Sequence, residues 1–348
     1  MKKICVLFGG MSAEYDISCI SASYVAEMLD PQKYEVIKGG ITKEGRWLLF
    51  SGSTEEMRAH TWDQGDCVPC ILSPDRKDHG LLVSGSAGTT VIPVDVLFPV
   101  LHGAYGEDGC IQGLFRLSGI PFVGCGVAAS ALGMDKVLSK MVFDSVQLHQ
   151  AKWIMFENID TVTPEEAVKR VEDAIPYPCF VKPACTGSSL GITKAHDRKE
   201  LLEGLKIARE IDAKILVEET IVGREVECAV MGNESPEVSC VGEVLSAGEF
   251  YDYHSKYFDQ ASQTVIPARL TQEESEKIRA CALKGYRALG CRGLSRCDFF
   301  LTPDGTVYIN EINTLPGFTH ISMFSKLWME QGLTYGEILD KLIGFAVC

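Results

Sequence analysis

The most restrictive segment of this chain is a strand pair near its C-terminal end: LSRCDFFL (294–301), TPDG (302–305) and TVYINEIN (306–313). Asp-Gly between two runs rich in aromatic and β-branched residues predicts a two-residue hairpin turn. Residue 303 then faces 306, Asp298 faces Glu311, and Arg296 faces Asn313. Strand side chains alternate with period two, so all four share one sheet face. A four-residue loop keeps that parity; an uncompensated three-residue loop breaks it. Carboxylates placed opposite each other repel, and a buried unpaired carboxylate is costly, so the arrangement asks for a cation. The oxygen-only set of Asp298, Glu311 and the Asn313 amide suits Mg²⁺ or Mn²⁺, which bridge to phosphates. The alternative is a solvated strand face. Against it, Leu294, Phe300, Val307 and Ile309 are expected on that same face, which makes it otherwise apolar.

A second segment, FVKPACTGSSLG (180–191), puts a lysine at a strand end before a Gly/Ser loop. Ammonium, hydroxyls and backbone N–H groups presented this way can receive phosphate oxygens. A plain flexible turn is the alternative, and no Walker GK[ST] occurs in the chain. Gly124-Cys125-Gly126-Val127-Ala128-Ala129 fits G-x-G-x-x-A, with Asp144 about 20 residues on, the pattern of a dinucleotide site in an oxidoreductase. The required second strand is missing, because 134–144 reads as helix, so these glycines are assigned to helix capping and close packing. Residues 9–14 (GGMSAE) and 102–109 (HGAYGEDG) follow predicted parallel strands, where α/β sheets place their ligands.

Composition limits the partners. With 33 Lys+Arg against 47 Asp+Glu in 348 residues, the net charge is −14, which excludes a global field for nucleic acid or an anionic membrane. No apolar run approaches the ~20 residues of a membrane helix, and the short apolar run after Met1-Lys2-Lys3 reads as a strand rather than a leader. Fourteen cysteines scattered through predicted strands and helices fit buried thiols in a reducing compartment, so a cytoplasmic location is expected. Cys67 and Cys70 have zinc-ligand spacing near His60 and His79, but no second pair completes a tetrahedral site.

Patterning predicts strands at 3–8, 34–41 and 94–100 and a helix at 17–29, with loops and short hairpins over 51–93. The pattern then changes to helices at 127–132 and 135–145, strands near 153 and 178, and a helix at 164–174 capped by Thr163 with Pro164 first. A third section is expected to begin with the strand at 215–218 and to end in helices at 322–330 and 335–347.

Together, GGMSAEYDIS (9–18), HGAYGEDGCIQG (102–113), MDK (134–136), VKPACTGSSLG (181–191), VEE (217–219), YDYHSKY (251–257), SRCD (295–298) and NEINTLPGFTHIS (310–322) resemble the D-alanine–D-alanine ligase family of ATP-grasp enzymes, related D-alanine–D-serine ligases included. The resemblance implies mixed α/β and α+β structure, an ATP-grasp fold behind an N-terminal parallel α/β domain. It divides the chain into an N-terminal substrate domain (1–125), a central ATP-grasp subdomain (126–212) and a C-terminal ATP-grasp and metal-binding subdomain (213–348).

It also implies a reaction. ATP phosphorylates the carboxylate of a first D-alanine, and the amine of a second D-amino acid attacks the acylphosphate and releases phosphate. By motif, Lys136 and Lys182 would hold ATP phosphates under the Ser188-Ser189 loop, Glu218 and Ile221 would read adenine, and Glu225 would bind ribose. Asp298, Glu311 and Asn313 would bind two Mg²⁺ (or Mn²⁺) ions. Glu14 would hold the first ammonium, linked to Ser188 and Tyr257, with His102 also at the substrate and Lys256 at the transferred phosphate. Arg296 and the Gly317 N–H would stabilise the oxyanion, and Ser322 would bind the second carboxylate. The polar loop 253–263 would be a lid. Met323, at the second-site position, favours D-alanine over D-serine, although 266–269 (IPAR) resembles the D-serine ligases. A homodimer is implied by the resemblance alone.

Overall fold

The first apolar run becomes the strand Lys2–Gly9, whose residues from Ile4 to Phe8 have no solvent exposure. This is a computed structural model, and it describes residues 1–86, 88–245 and 263–347. Tyr34–Ile41 and Val96–Pro99 pair with that strand in parallel on its two sides. A strand covered on both faces has to be apolar without alternation, which is how 4–8 reads. Gly9 ends it with φ +86°, and a Cβ there would lie 2.1 Å from the Ile41 carbonyl oxygen. The chain therefore turns sharply toward the helix Tyr15–Met28, and its acidic loop hangs off the carboxyl end of the sheet.

The 51–93 stretch is more ordered than expected. Trp47–Phe50 pairs antiparallel with Tyr34–Ile41, and after a short helix, Thr54–Arg58, opened by a Ser53/Glu56 capping box, three further strands (Cys67–Leu72, Gly80–Gly85 and Gly88–Pro93) extend the sheet antiparallel to seven strands. Cys67 and Cys70 sit within one of these strands as free thiols, and no metal-holding cluster of His, Cys, Asp or Glu occurs among the described residues. The glycines of the G-x-G-x-x-A segment serve packing: Gly126 caps the helix Val127–Met134, and Gly124, at φ +108°, lies against Gly293. Asp144 falls inside the helix Lys136–Ser145, so no second strand of a dinucleotide fold follows.

A second, four-stranded antiparallel sheet runs in the order Thr193–Ala195, Cys179–Pro183, Ile215–Glu219, Trp153–Phe156. Ile215–Glu219, expected to open the third section, is instead an inner strand here, paired on both edges. One face, including Val181 and Val217, is buried under the helices Pro164–Ala174 and Arg198–Ile211. The other, with Phe180, Lys182, Leu216 and Glu218 in register, faces the helix Lys136–Ser145.

The third sheet has five antiparallel strands, ordered Gln263–Val265, Glu237–Leu245, Arg224–Met231, Leu294–Leu301, Val307–Asn313. Helix Gln272–Ala288 packs on one face and helix Met323–Glu330 on the other. The hairpin expectation holds where it matters and fails at the turn. Thr302 pairs with Thr306 around a three-residue loop ending in Gly305 at φ +79°, and Leu301 faces Val307. A bulge opposite the Asp298/Phe299 step takes up one extra residue, Asn310, and returns the register to Asp298 facing Glu311 and Arg296 facing Asn313. Val307 and Ile309 consequently point into the core under the long helix, not onto the carboxylate face as expected.

The first and third sheets share one continuous core. Phe98 meets Phe318 edge-on with ring centroids 5.6 Å apart, and Lys33 and Tyr34 bind Asp340 of the final helix, Tyr335–Ala346, at 2.6 and 2.8 Å. No helix among the described residues is long and apolar enough to cross a membrane.

Candidate active site

A cavity of about 610 Å³ opens where the three sheets meet, lined by Glu14 and His102 from the first, Lys182 and Glu218 from the second, and Arg296 and Glu311 from the third. The chemistry-bearing segments thus converge from strand ends far apart in sequence.

On the second sheet, Glu218 is 4% exposed and its two oxygens hold two lysines. Lys182 binds Oε1, and Lys140 approaches Oε2 at 2.9 Å. Burial raises a carboxyl pKa, but the two ammonium groups outweigh it and bring Glu218 down to about 2. Lys140 was not foreseen, although it stands four residues beyond Lys136 on one helix, hence on the same face. Lys136 is the first residue of that helix. Its backbone N–H donates to the Ala184 carbonyl (3.0 Å) and its ammonium to the Thr186 carbonyl (2.5 Å). Asp135 caps the helix through Val137 and Leu138 N–H groups and binds Lys214 at 2.8 Å. The loop after the strand Cys179–Pro183 and the Lys136 helix are therefore tied together.

That loop carries Ser188 and Ser189 at φ +48° and +58°, a left-handed backbone unusual for residues other than glycine. It turns the Ser188 hydroxyl to donate to Glu14 Oε1 across the cavity. Two glycines make room: a Cβ on Gly103 or Gly187 would lie 2.6 or 2.9 Å from Glu14 Oε2. Beside Glu14, His102 is 5% exposed, with Nδ1 3.5 Å from Glu107 Oε1 and with no hydrogen-bond partner at Nε2. Burial lifts Glu107 to about 7, against the pull of His102 and with a further push from Glu14. His102 is itself raised: burial works against its charge, and Glu107 more than offsets it.

On the third sheet, Glu227, Asp298 and Glu311 lie side by side across three strands. Arg296 forks onto Asp298 (Nε–Oδ1 2.8 Å, Nη2–Oδ2 2.7 Å), and its Nε is 3.0 Å from Glu227. Burial disfavours the guanidinium charge, yet Asp298 and Glu227 hold its pKa well above the ordinary value. Glu227 was missed as well; its signal is the alternation Glu225, Glu227 along one strand, with Val226 and Cys228 buried between. The Asn313 amide oxygen accepts the Leu315 N–H at 3.0 Å. The donors are all oxygen, the chemistry a hard divalent cation such as Mg²⁺ prefers, although here Arg296 occupies both Asp298 oxygens and, among the described residues, the carboxylates are not gathered into a metal-holding cluster.

Ser322 precedes helix Met323–Glu330, and its hydroxyl accepts the Thr319 N–H at 2.9 Å; a Cβ on Gly317 would stand 3.0 Å from that oxygen. Met323 is 7% exposed and lies over Gly242. Ile221 and Glu225 also line the cavity, next to the strand carrying Glu218. Lys256, Tyr257 and nearly all of the expected lid lie outside the described residues.

The chain matches the family models "D-ala D-ala ligase N-terminus" over residues 3–125 and "D-ala D-ala ligase C-terminus" over 142–344. It is 46% identical to a D-alanine–D-alanine ligase of Ruminiclostridium cellulolyticum, across 99% of this chain and 95% of the relative. Against one from Thermoanaerobacter pseudethanolicus it is 45% identical, covering 99% and 96%. Among solved structures, the VanG D-Ala:D-Ser ligase from Enterococcus faecalis superposes with a TM-score of 0.91 at 41% identity over 99% of both chains. The D-alanine–D-alanine ligase of Coxiella burnetii gives 0.85 at 31% identity, covering 100% of this chain and 95% of the other. With both halves matched by the family models and full-length relatives at about 45% identity, the chain belongs to the D-alanine–D-alanine ligase family of ATP-grasp enzymes.

Proposed function

We propose that the protein joins two D-alanines at the expense of ATP. The carboxylate of the first attacks the γ-phosphorus, giving D-alanyl phosphate and ADP. The amine of the second attacks the acyl carbon, and the tetrahedral intermediate collapses with loss of phosphate. The observation that carries this reading is the Ser188–Glu14 hydrogen bond, which joins the loop after the phosphate strand to a buried carboxylate of the first domain. Glu14 would take an ammonium group, and the first substrate's carboxylate would then lie toward Lys136 and Lys182, which line the same cavity.

In this reading Lys136, Lys182 and the Ser188-Ser189 loop receive the phosphates, Glu218 and Ile221 the base, and Glu225 the ribose. Asp298, Glu311 and Asn313 would hold two Mg²⁺ ions, which when bound neutralise phosphate charge. Arg296 and the Gly317 N–H would take the oxyanion and Ser322 the second carboxylate, with His102 beside the first substrate. Tyr257 and Lys256 complete the set by motif. Three domains, with the second limit moved past Glu219 to follow the sheets, a homodimeric assembly and a cytoplasmic site of action for cell-wall precursor synthesis belong to the same proposal.

D-Serine at the second site is the other reading, favoured by the likeness to the VanG structure. Met323 speaks for D-alanine, because an apolar side chain offers a serine hydroxyl no hydrogen-bond donor. The test is phosphate release from ATP with Mg²⁺ on adding D-alanine. Stimulation is expected, and its absence would remove the ligase reading.

A further inference from the structure

Lys140 has no part in the reaction as set out above. It is 3% exposed, and its ammonium lies 2.9 Å from Glu218 Oε2 while Lys182 occupies Oε1. One carboxylate between two ammonium groups carries a net charge of +1, whereas Glu218 with Lys182 alone would be neutral. Both Lys140 and Lys182 line the cavity, as does Lys136 one helical turn earlier.

We propose that Lys140 is a positioning residue: it is the counter-cation of Glu218, and so leaves the charge of Lys182 to the nucleotide phosphates. The inference deepens the ligase reading and rests on it. Its physical basis is the low local dielectric, in which a buried carboxylate draws whatever cation is nearest into a tight pair. With Lys140 present, Glu218 is compensated from the helix side, and Lys182 can lean toward phosphate without stranding a buried charge. Without it, among the described residues Lys182 alone would answer the carboxylate, and the incoming polyanion would meet a neutral pair. The strongly depressed pKa of Glu218 fits a carboxylate ionised throughout the working pH range.

Two other roles are separable from this one. Lys140 acting through the base would orient Glu218 toward the adenine edge. Lys140 acting only as packing would affect stability and nothing else. The experiment measures binding of adenosine and of Mg²⁺-ADP, together with kcat and KM for ATP, in wild type, Lys140→Met, Lys140→Arg, Glu218→Gln and the Lys140→Met/Glu218→Gln double variant. Lys140→Met is expected to weaken ADP about tenfold, the scale of one charge-assisted contact, with adenosine little changed. KM for ATP rises more than kcat falls, and arginine restores most of the loss. In the Glu218→Gln background, removing Lys140 changes ADP affinity little, because no carboxylate remains to capture Lys182.

Equal weakening of adenosine and ADP would overturn the inference in favour of a base-orienting role. Equal losses in both Glu218 backgrounds, or a lowered melting temperature with unchanged ADP affinity, would overturn it in favour of packing. Wild type that binds no adenine nucleotide would instead defeat the ligase reading itself. An active wild type with Lys140→Met indistinguishable from it would defeat the inference alone.

Discussion

Glu14 and Ser188 are far apart in the chain and meet through a single hydrogen bond, which a left-handed serine makes possible. Ser188→Ala removes the donor, and kcat/KM for D-alanine is expected to fall about tenfold or more, with the melting temperature little changed. An unchanged kcat/KM in steady-state assays would contradict the part given to this contact. The His102–Glu107 pair predicts a pH effect. Both groups are raised, so the folded state binds their protons more tightly than the unfolded one. The Glu107 share of stability is fully present below about 4.5 and is lost as pH rises through about 7. Urea midpoints between these limits are expected to decline in wild type and to flatten in Glu107→Gln; parallel slopes would count against the assignment. At this scale the family motifs name Glu14, Lys182, Arg296 and Asp298, and the first three of these line the cavity. Lys140 and Glu227 are not marked by any motif: each looks like an ordinary charged position until folding brings up a partner, Glu218 or Arg296, whose proximity no local pattern encodes; Glu107 lies in a motif segment, but its pairing with His102 is set by the loop's fold.

The element that sets the acidic row is the hairpin 294–313, and its register depends on one residue. The two-residue turn was wrong and the facing pair was right, because the extra residue at Asn310 cancels the odd loop. Asp-Gly marks a turn, but loop length is decided by backbone twist and by Gly305 at φ +79°, and nothing local announces a compensating bulge. Inserting one residue after Asn310, with the bulge kept, would move Glu311 opposite Cys297 and toward the core. That placement costs ~3 kcal/mol or more. Thermal unfolding is expected to show a large loss of stability or a failure to fold; a variant with wild-type stability would contradict the register argument. Elsewhere strong local signals were readable: Thr163 with Pro164 capped its helix as expected, and the unbroken apolar run became the central strand. Ile215–Glu219, expected to open the third section, pairs in the second sheet, since strand order is settled by long-range pairing.

Over the whole molecule, a net charge of −14 surrounds a cavity whose walls carry Lys136, Lys140, Lys182 and Arg296. An acidic surface discourages polyanionic partners at large; glutamates outnumber the cations in the cleft as a whole, and the positive charge it offers a compact anion is local, where Lys136, Lys140 and Lys182 share one wall. The core shared by the first and third sheets gives that cleft a broad base on which Glu14, His102, Arg296 and Glu311 keep their spacing, with the second sheet bringing Lys182 across. The central claim is that these parts make D-alanyl-D-alanine. Its most direct test is to supply ATP, Mg²⁺ and equal concentrations of D-alanine and D-serine, then quantify dipeptides by mass spectrometry beside the phosphate released. D-Alanyl-D-alanine is expected as the main product, with one phosphate per dipeptide. No dipeptide, or a product dominated by D-alanyl-D-serine, would contradict it.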